Sequence, residues 1–204
     1  MLGDRNPLKI NGKGVQADQW TALGCLRELN DRMSSDASTA ESIKLRKPVS
    51  TDGYRLHRLI AQCPPLDPNS IYCNLLQCTH FADTGVAAEL DGELVGFISA
   101  HIPPPSPEAV FVWQVAVHGK ARGTGLGKRM LKTIVERSVC RDVRFLETTI
   151  TEDNEASWGL FMSFARDMEA PTQHAILFDR DEHFGGYHDS EILLRIGPFG
   201  AGEG

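Results

Sequence analysis

The chain has no apolar run approaching the ~20 residues that a membrane helix needs, so no membrane span is expected. Its first residues, Met1–Leu2–Gly3–Asp4–Arg5, form no charged-then-apolar leader, and the expected location is the cytoplasm. It also lacks paired cysteines. Cys25, Cys63, Cys73, Cys78 and Cys140 are odd in number and include no C-x-x-C, so they read as reduced, mostly buried thiols. An excess of positive charge is missing too. The net charge of −6 disfavours a nucleic-acid partner, whose affinity rests on neutralised phosphates, and is compatible with a small cationic substrate. What remains is an ordinary globular composition, 24% charged and 41% apolar over 204 residues, enough for one domain with a substantial core.

Organisation follows from periodicity. Residues 1–40 mix glycine, asparagine and serine around one modest helical stripe, and read as a poorly ordered extension or a short helix packed on the domain. Residues 41–199 are the expected domain and 200–204 a flexible tail. Ile43–Arg46 is a candidate strand. Thr51–Asp52 is expected to cap a helix to about Cys63, with Tyr54, Leu56, Leu59 and Ile60 inward, stopped by Pro64–Pro65. A second helix follows Asp67–Pro68. Val86–Leu90 and Glu93–Ser99 form a hairpin about Asp91–Gly92, a pair that tolerates the positive φ of a tight turn. Next come a strand over Ala109–Val117, a helix over Gly125–Cys140, a strand over Phe145–Ile150, a helix over Asn154–Met168, and a closing pair, Ala175–Phe178 and Glu191–Ile196. The order β-α-α-β-β-β-α-β-α-β-β indicates an α+β sandwich on a mixed sheet.

The most informative segment is Ala121–Arg122–Gly123–Thr124–Gly125–Leu126–Gly127, between a strand and a helix. Glycine-dense backbone there exposes successive N–H groups, and the helix start adds about half a positive charge, which together cradle an anion. The spacing is not G-x-G-x-x-G, and Arg129 stands where a triphosphate loop needs Ser or Thr. Arg122, Gly125 and Gly127 do fit Arg-x-x-Gly-x-Gly, which resembles the pyrophosphate loop of the GNAT superfamily of acetyl-CoA-dependent N-acyltransferases; the element order agrees. The fold that this resemblance implies is a mixed, mostly antiparallel sheet with helices on both faces and a splayed central strand pair.

The resemblance also implies a set of site residues. Val115, Ala116 and Val117 would offer backbone groups to the pantetheine arm, with one N–H at the thioester oxygen, where amine attack places negative charge. Arg122, Gly123, Gly125, Gly127 and Lys128 would surround the pyrophosphate; Lys128 reads equally as part of a solvated helix face. Asn154, Ser157 and Phe161 would border the coenzyme, Asn154 also reading as a plain helix cap. Phe161 stands where many members carry the tyrosine that protonates the departing thiolate. Glu147 is the first candidate for general base, and an outward polar residue on an edge strand is its competing reading.

Further segments resemble one particular family, the L-2,4-diaminobutyrate acetyltransferases of ectoine biosynthesis. They are Cys63–Asp67 through Tyr72, Gly96–Ala100, Val112–Val117, Leu146–Ile150 and Glu182–Asp189. This implies acetyl transfer from acetyl-CoA to the γ-amine of a small-molecule substrate, giving the precursor of a compatible solute made under osmotic stress, by a homodimer that needs no metal. Asp67, Tyr72, Trp113, Glu147, His188 and Asp189 are the candidate substrate contacts, because a substrate with two ammonium groups suits acidic and aromatic neighbours. His183 and His188 are not at helical spacing, and metal binding is not expected. Two rivals stay open at this point: an N-acetyltransferase for another amine, and, given Phe161, a non-catalytic acetyl-CoA-binding regulator.

Overall fold

The computed structural model describes residues 42–199; the expected extension over 1–40 and the tail over 200–204 lie outside the described residues. The elements are β1 (Lys44–Arg46), α1 (Asp52–Ala61), α2 (Ile71–Thr79), β2 (Val86–Leu90), β3 (Glu93–His101), β4 (Ala109–Val117), α3 (Leu126–Val135), β5 (Phe145–Ile150), α4 (Glu155–Asp167), β6 (Thr172–Phe178) and β7 (Glu191–Ile196). The strands form one sheet in the order β1-β2-β3-β4-β5-β7-β6. Only β4 and β5 pair in parallel.

Each face has its own core. Leu126, Met130, Leu131 and Ile134 of α3 and Phe161, Phe164 and Ala165 of α4 pack on Val110, Val112, Leu146, Ile150, Leu194 and Ile196. On the other face Leu56, Leu59 and Ile60 of α1 pack with Cys63 and Cys78 on Ala87, Phe97 and Ala116. The periodicities expected for α1 and α3 thus point at opposite sides of one sheet. The hairpin turns through Asp91 (φ 51°) and Gly92 (φ 79°), as its residues require.

The capping expectation and three others need correction: Thr51 makes no side-chain cap to α1, and the Asp52 carboxylate accepts from the Val49 N–H before the helix. Tyr54 is exposed rather than inward. The α1–α2 contact runs through Gly53 instead, where an added Cβ would lie 2.6 Å from Leu75 Cδ2. Helix α3 ends at Val135, not Cys140. Arg137 is extended, and its Nη1 donates to the carbonyls of Asp83 (2.9 Å) and Gly85 (2.5 Å), which takes the chain out of the helix before a 3₁₀ turn at Ser138–Cys140. Strand β6 begins at Thr172, three residues early, because it pairs with β7 back to Ile196.

Beneath α1 lies a buried charge network. Asp52, with no exposed surface, accepts two bonds from Arg46 (2.6 and 2.8 Å), one from Arg55 (3.1 Å) and one from the Val49 N–H (2.9 Å). Burial pushes the Asp52 carboxyl up, but these bonds outweigh it and hold it below the usual range. Glu89 completes the network by pairing with Arg46 and Arg55.

Candidate active site

Strands β4 and β5 are bonded from Ala109↔Phe145 to Val112↔Thr148, and there their pairing stops. Beyond it β4 stays with β3 to Val117↔Gly96 and β5 stays with β7 to Ile150↔Ile192. The sheet therefore opens into a wedge at its centre, leaving backbone groups of β4 unpaired on one side.

The wedge starts at a bulge. Val112 pairs with Ala100 and Gln114 with Ser99, so Trp113 is one extra residue on β4. The bulge reverses the facing of the rest of the strand. Val110 and Val112 belong to the α3/α4 core and Val115 and Val117 pack against it, whereas Ala116 lies in the α1 core. Trp113, 44% exposed, is turned toward the opening.

At the end of β4 the chain makes a 3₁₀ turn over Gly119–Ala121 and enters α3 through two left-handed residues, Gly123 (φ 80°) and Gly125 (φ 74°). A side chain there costs ~1–2 kcal/mol in backbone strain. No side chain caps Gly125, so the first amides of α3 are left for an anion. Gly127 has a different reason to be glycine: a Cβ would sit 2.9 Å from Leu160 Cδ1, so it lets α4 approach α3. The Nε of Arg122 donates to the Val117 carbonyl (3.1 Å). Burial pushes the thiol of Cys63 up, against the pull of the Arg122 guanidinium, and keeps it protonated.

One open cleft of about 1560 Å³ runs from this turn along the wedge. Its walls are the Cys63–Asn69 connection, the start of α4, and the β6–β7 loop. Asn154 caps α4 by accepting from the Ser157 N–H (3.0 Å). In the β6–β7 loop the His188 ring lies 4.8 Å from that of Phe184, and its Nδ1 is 2.7 Å from the Asp189 carbonyl. The Asp189 carboxylate accepts from Arg180 (2.9 Å), and Tyr187 stands 98% exposed at the rim.

Val115, Val117, Arg122, Gly123, Gly125, Gly127, Lys128, Asn154, Ser157, Phe161, Asp67, Trp113, His188 and Asp189 all line this cleft. Lys128 does so with its ammonium bonded to Asp167 (2.7 Å). Three candidates do not. The Ala116 side chain is in the α1 core, on the far side of the bulge. Tyr72 is 70% exposed on α2, one residue after that helix begins. Glu147 is 8% exposed, and its carboxylate accepts from Arg195 (2.7 Å), whose second nitrogen reaches Glu108 (3.3 Å) while its guanidinium covers the Phe145 ring (3.8 Å). Glu147 shares a sheet face with Thr149, a wall residue, and sits one step before the wedge opens. Sequence reasoning missed Asn69, Gln114, Thr149 and Tyr187 as wall residues, though all four lie in or beside the segments that carry the resemblance. No group of three His, Cys, Asp or Glu suited to a metal occurs among the described residues, and no described helix is long and apolar enough to cross a membrane.

Comparison with known proteins agrees with this geometry. The acetyltransferase (GNAT) family profile matches residues 54–165. An L-2,4-diaminobutyric acid acetyltransferase of Methylotuvimicrobium alcaliphilum is 49% identical over 169 residues, 83% of this chain and 98% of the relative. One of Halomonas elongata is 47% identical, over 78% of this chain and 83% of its own length. Among solved structures, the diaminobutyrate acetyltransferase EctA from Paenibacillus lautus, in complex with L-2,4-diaminobutyric acid and coenzyme A, is 39% identical with a TM-score of 0.74, over 79% of this chain and 98% of that one. The ribosomal-protein-S18-alanine N-acetyltransferase of Escherichia coli, at 14% identity and a TM-score of 0.59 over 79% of this chain and 97% of its own, shares the fold alone.

Proposed function

This chain belongs to the acetyltransferase (GNAT) family and, within it, to the L-2,4-diaminobutyric acid acetyltransferases, and from that premise we propose that it transfers acetyl from acetyl-CoA to the γ-amine of L-2,4-diaminobutyrate. The observation that carries the reading is the wedge between β4 and β5, with an uncapped glycine turn at one end and Trp113 at its opening. A long anionic thioester suits that shape: diphosphate on the α3 amides beside Arg122, pantetheine amides along the edge of β4 that has lost β5, over Val115–Val117, and the adenosine end toward solvent. The turn has the charge and the exposed N–H groups for this, and an added Cβ at Gly123 or Gly125 would meet nothing within 4 Å, so the space is open.

The chemistry asks two things of the protein. An alkylammonium has a pKa near 10.4, so only about one in a few thousand is neutral at pH 7, and the attacking nitrogen must lose a proton. Glu147 takes this role from the face it shares with Thr149, its carboxylate fixed by Arg195. As nitrogen attacks the thioester carbon, charge grows on the oxygen, and a β4 backbone N–H beyond the bulge stabilises it. The C–S bond then breaks. Phe161 is buried and has no proton to give, so coenzyme A leaves as a thiolate, which is tolerable for a group whose pKa is ~8.5, and the second proton that the nitrogen sheds as the amide forms passes through water to it.

Choice of the γ-amine over the α-amine requires the amino-acid end to be held away from the thioester. Asp67, Trp113 and His188 line the cleft and serve that purpose, with Asp189 set by Arg180 and Tyr72 exposed in the first turn of α2. The product is the precursor that a cyclising enzyme converts to ectoine, a compatible solute of osmotic stress, and the reaction belongs in the cytoplasm. Exposed Ile176, Leu177 and Phe178 on the edge strand β6 support a homodimer. The deciding experiment is mass spectrometry of the product from acetyl-CoA and diaminobutyrate, with fragmentation to locate the acetyl group. Acetyl on the α-nitrogen, or equal turnover of ornithine, lysine and spermidine, overturns the substrate assignment. Acetyl-CoA binding with no turnover would favour a regulator.

A further inference from the structure

Gln114 follows the bulged Trp113 and lines the cleft, yet its amide is turned away from the wedge toward the α1–α2 connection. Its Oε1 accepts from Asn69 Nδ2 (3.0 Å) and its Nε2 donates to the Asp67 carbonyl (3.4 Å). Asn69 is held from behind as well: its carbonyl accepts from Nδ1 of His57, on α1, at 3.1 Å. The amide orientation is consistent at every contact, oxygen facing a donor and nitrogen facing an acceptor. Three bonds therefore tie the Asp67–Asn69 segment to β4 on one side and to α1 on the other. Between Leu66 and the start of α2 this segment forms no regular backbone ladder, so these side chains set where it lies.

We infer that Gln114, with Asn69 and His57 behind it, is a positioning and specificity-determining device: it fixes the distance between Asp67 on the connection and Trp113 on the cleft strand, and so sets how long an amino-acid side chain the site accepts. This rests on the proposed reading of Asp67 and Trp113 as contacts to the amino-acid substrate. Gln114 touches neither reacting atom. Its bulged neighbour and its two bonded partners sit on opposite walls, and one rigid amide spans them. Diaminobutyrate and ornithine differ by a single methylene, which a hydrophobic pocket alone discriminates by only about 10–200-fold. A wall held by directed bonds supplies the remaining rejection, because lengthening the gap breaks them.

The test uses the full chain with Gln114→Leu, which removes both bonds at similar volume, and Gln114→Glu, which keeps the acceptor for Asn69 and sets a carboxylate against the Asp67 carbonyl. Steady-state kinetics are run with diaminobutyrate and ornithine, and amide hydrogen exchange is followed over residues 63–70. Gln114→Leu is expected to raise KM for diaminobutyrate about tenfold and to narrow its preference over ornithine about tenfold. KM for acetyl-CoA and kcat should stay within about twofold, and exchange at 63–70 should accelerate while exchange in α3 does not. Gln114→Glu should fall between Leu and the natural residue. Unchanged exchange at 63–70 in both variants, or an equal rise of KM for both substrates, overturns the inference. A natural chain that turns over no diaminobutyrate overturns the functional reading instead, and the exchange experiment still reads the clamp by itself.

Discussion

The two halves of the sheet are built differently. Over β1–β4 both faces are covered, α1 and α2 on one side and α3 on the other, and a buried ion network locks the α1 end. Over β5, β7 and β6 only the α3/α4 side carries a core. Strand β6 is exposed along almost its whole length, and Glu147, Arg195 and Glu108 form a polar group on the other face. The cleft lies on the seam. The closed half holds β4, the strand proposed to bind the coenzyme, between two packed layers, while the open half leaves the surface of β6 exposed.

Substitutions should separate the halves. The largest effect on stability is expected from Asp52→Ala, which leaves Arg46 and Arg55 facing a hole. Breaking a buried pair this way costs about 3–5 kcal/mol, so thermal unfolding should fall by about 10 °C, with kcat per folded molecule unchanged. Glu147→Gln should do the reverse, since the amide still accepts from Arg195. Turnover is expected to drop about 100-fold with little change in melting temperature, and unaltered turnover across pH 7–9 would remove Glu147 as the base.

Acid tests the closed half again. The bond from Arg46, helped by Arg55, holds the Glu89 carboxyl down at about 2, against 4.5 for the free group. Because the folded value is the lower one, its stabilisation is whole above about pH 4.5 and is lost as pH falls toward 2. After allowance for solvent screening this is on the order of 2 kcal/mol, visible as a drop in denaturant midpoint over that window. At the seam, Gly125→Ala meets no steric obstacle but forces alanine to positive φ. A loss of ~1–2 kcal/mol and a severalfold weaker acetyl-CoA binding by calorimetry are expected. The smallest change in stability, within ~0.5 kcal/mol, is expected for Ile176→Glu on β6; light scattering should nonetheless show the proposed dimer becoming a monomer, and a natural chain that is already monomeric would remove the dimer.

The difference between the halves also decides what was legible in the sequence. Element order, the Asp91–Gly92 hairpin, and strands β5 and β7 could be read because local chemistry dictates them: a turn that needs positive φ, or an apolar run with clear ends. The glycine turn was legible for the same reason. The end of α3 was not, since what stops it is Arg137 reaching a turn more than fifty residues earlier in the chain. Nor was the facing of Trp113. Strict alternation from Val110 would put Ala116 with Val112, and only pairing with β3 reveals the extra residue. Glu147 was read onto the correct strand, but its partner Arg195 lies 48 residues away and leaves no local mark.

That extra residue has a lasting consequence for how such a chain can change. Because Trp113 reverses the parity of the strand, removing it would not merely lose an indole. Val115 and Val117 would swing out of one packed layer and Ala116 out of the other, so a one-codon deletion would scramble two hydrophobic interiors together. The irregularity that opens the seam is thus insured by the packing of the Val115, Ala116 and Val117 side chains, and drift at this position is confined to exchanging the side chain while the count of residues stays fixed.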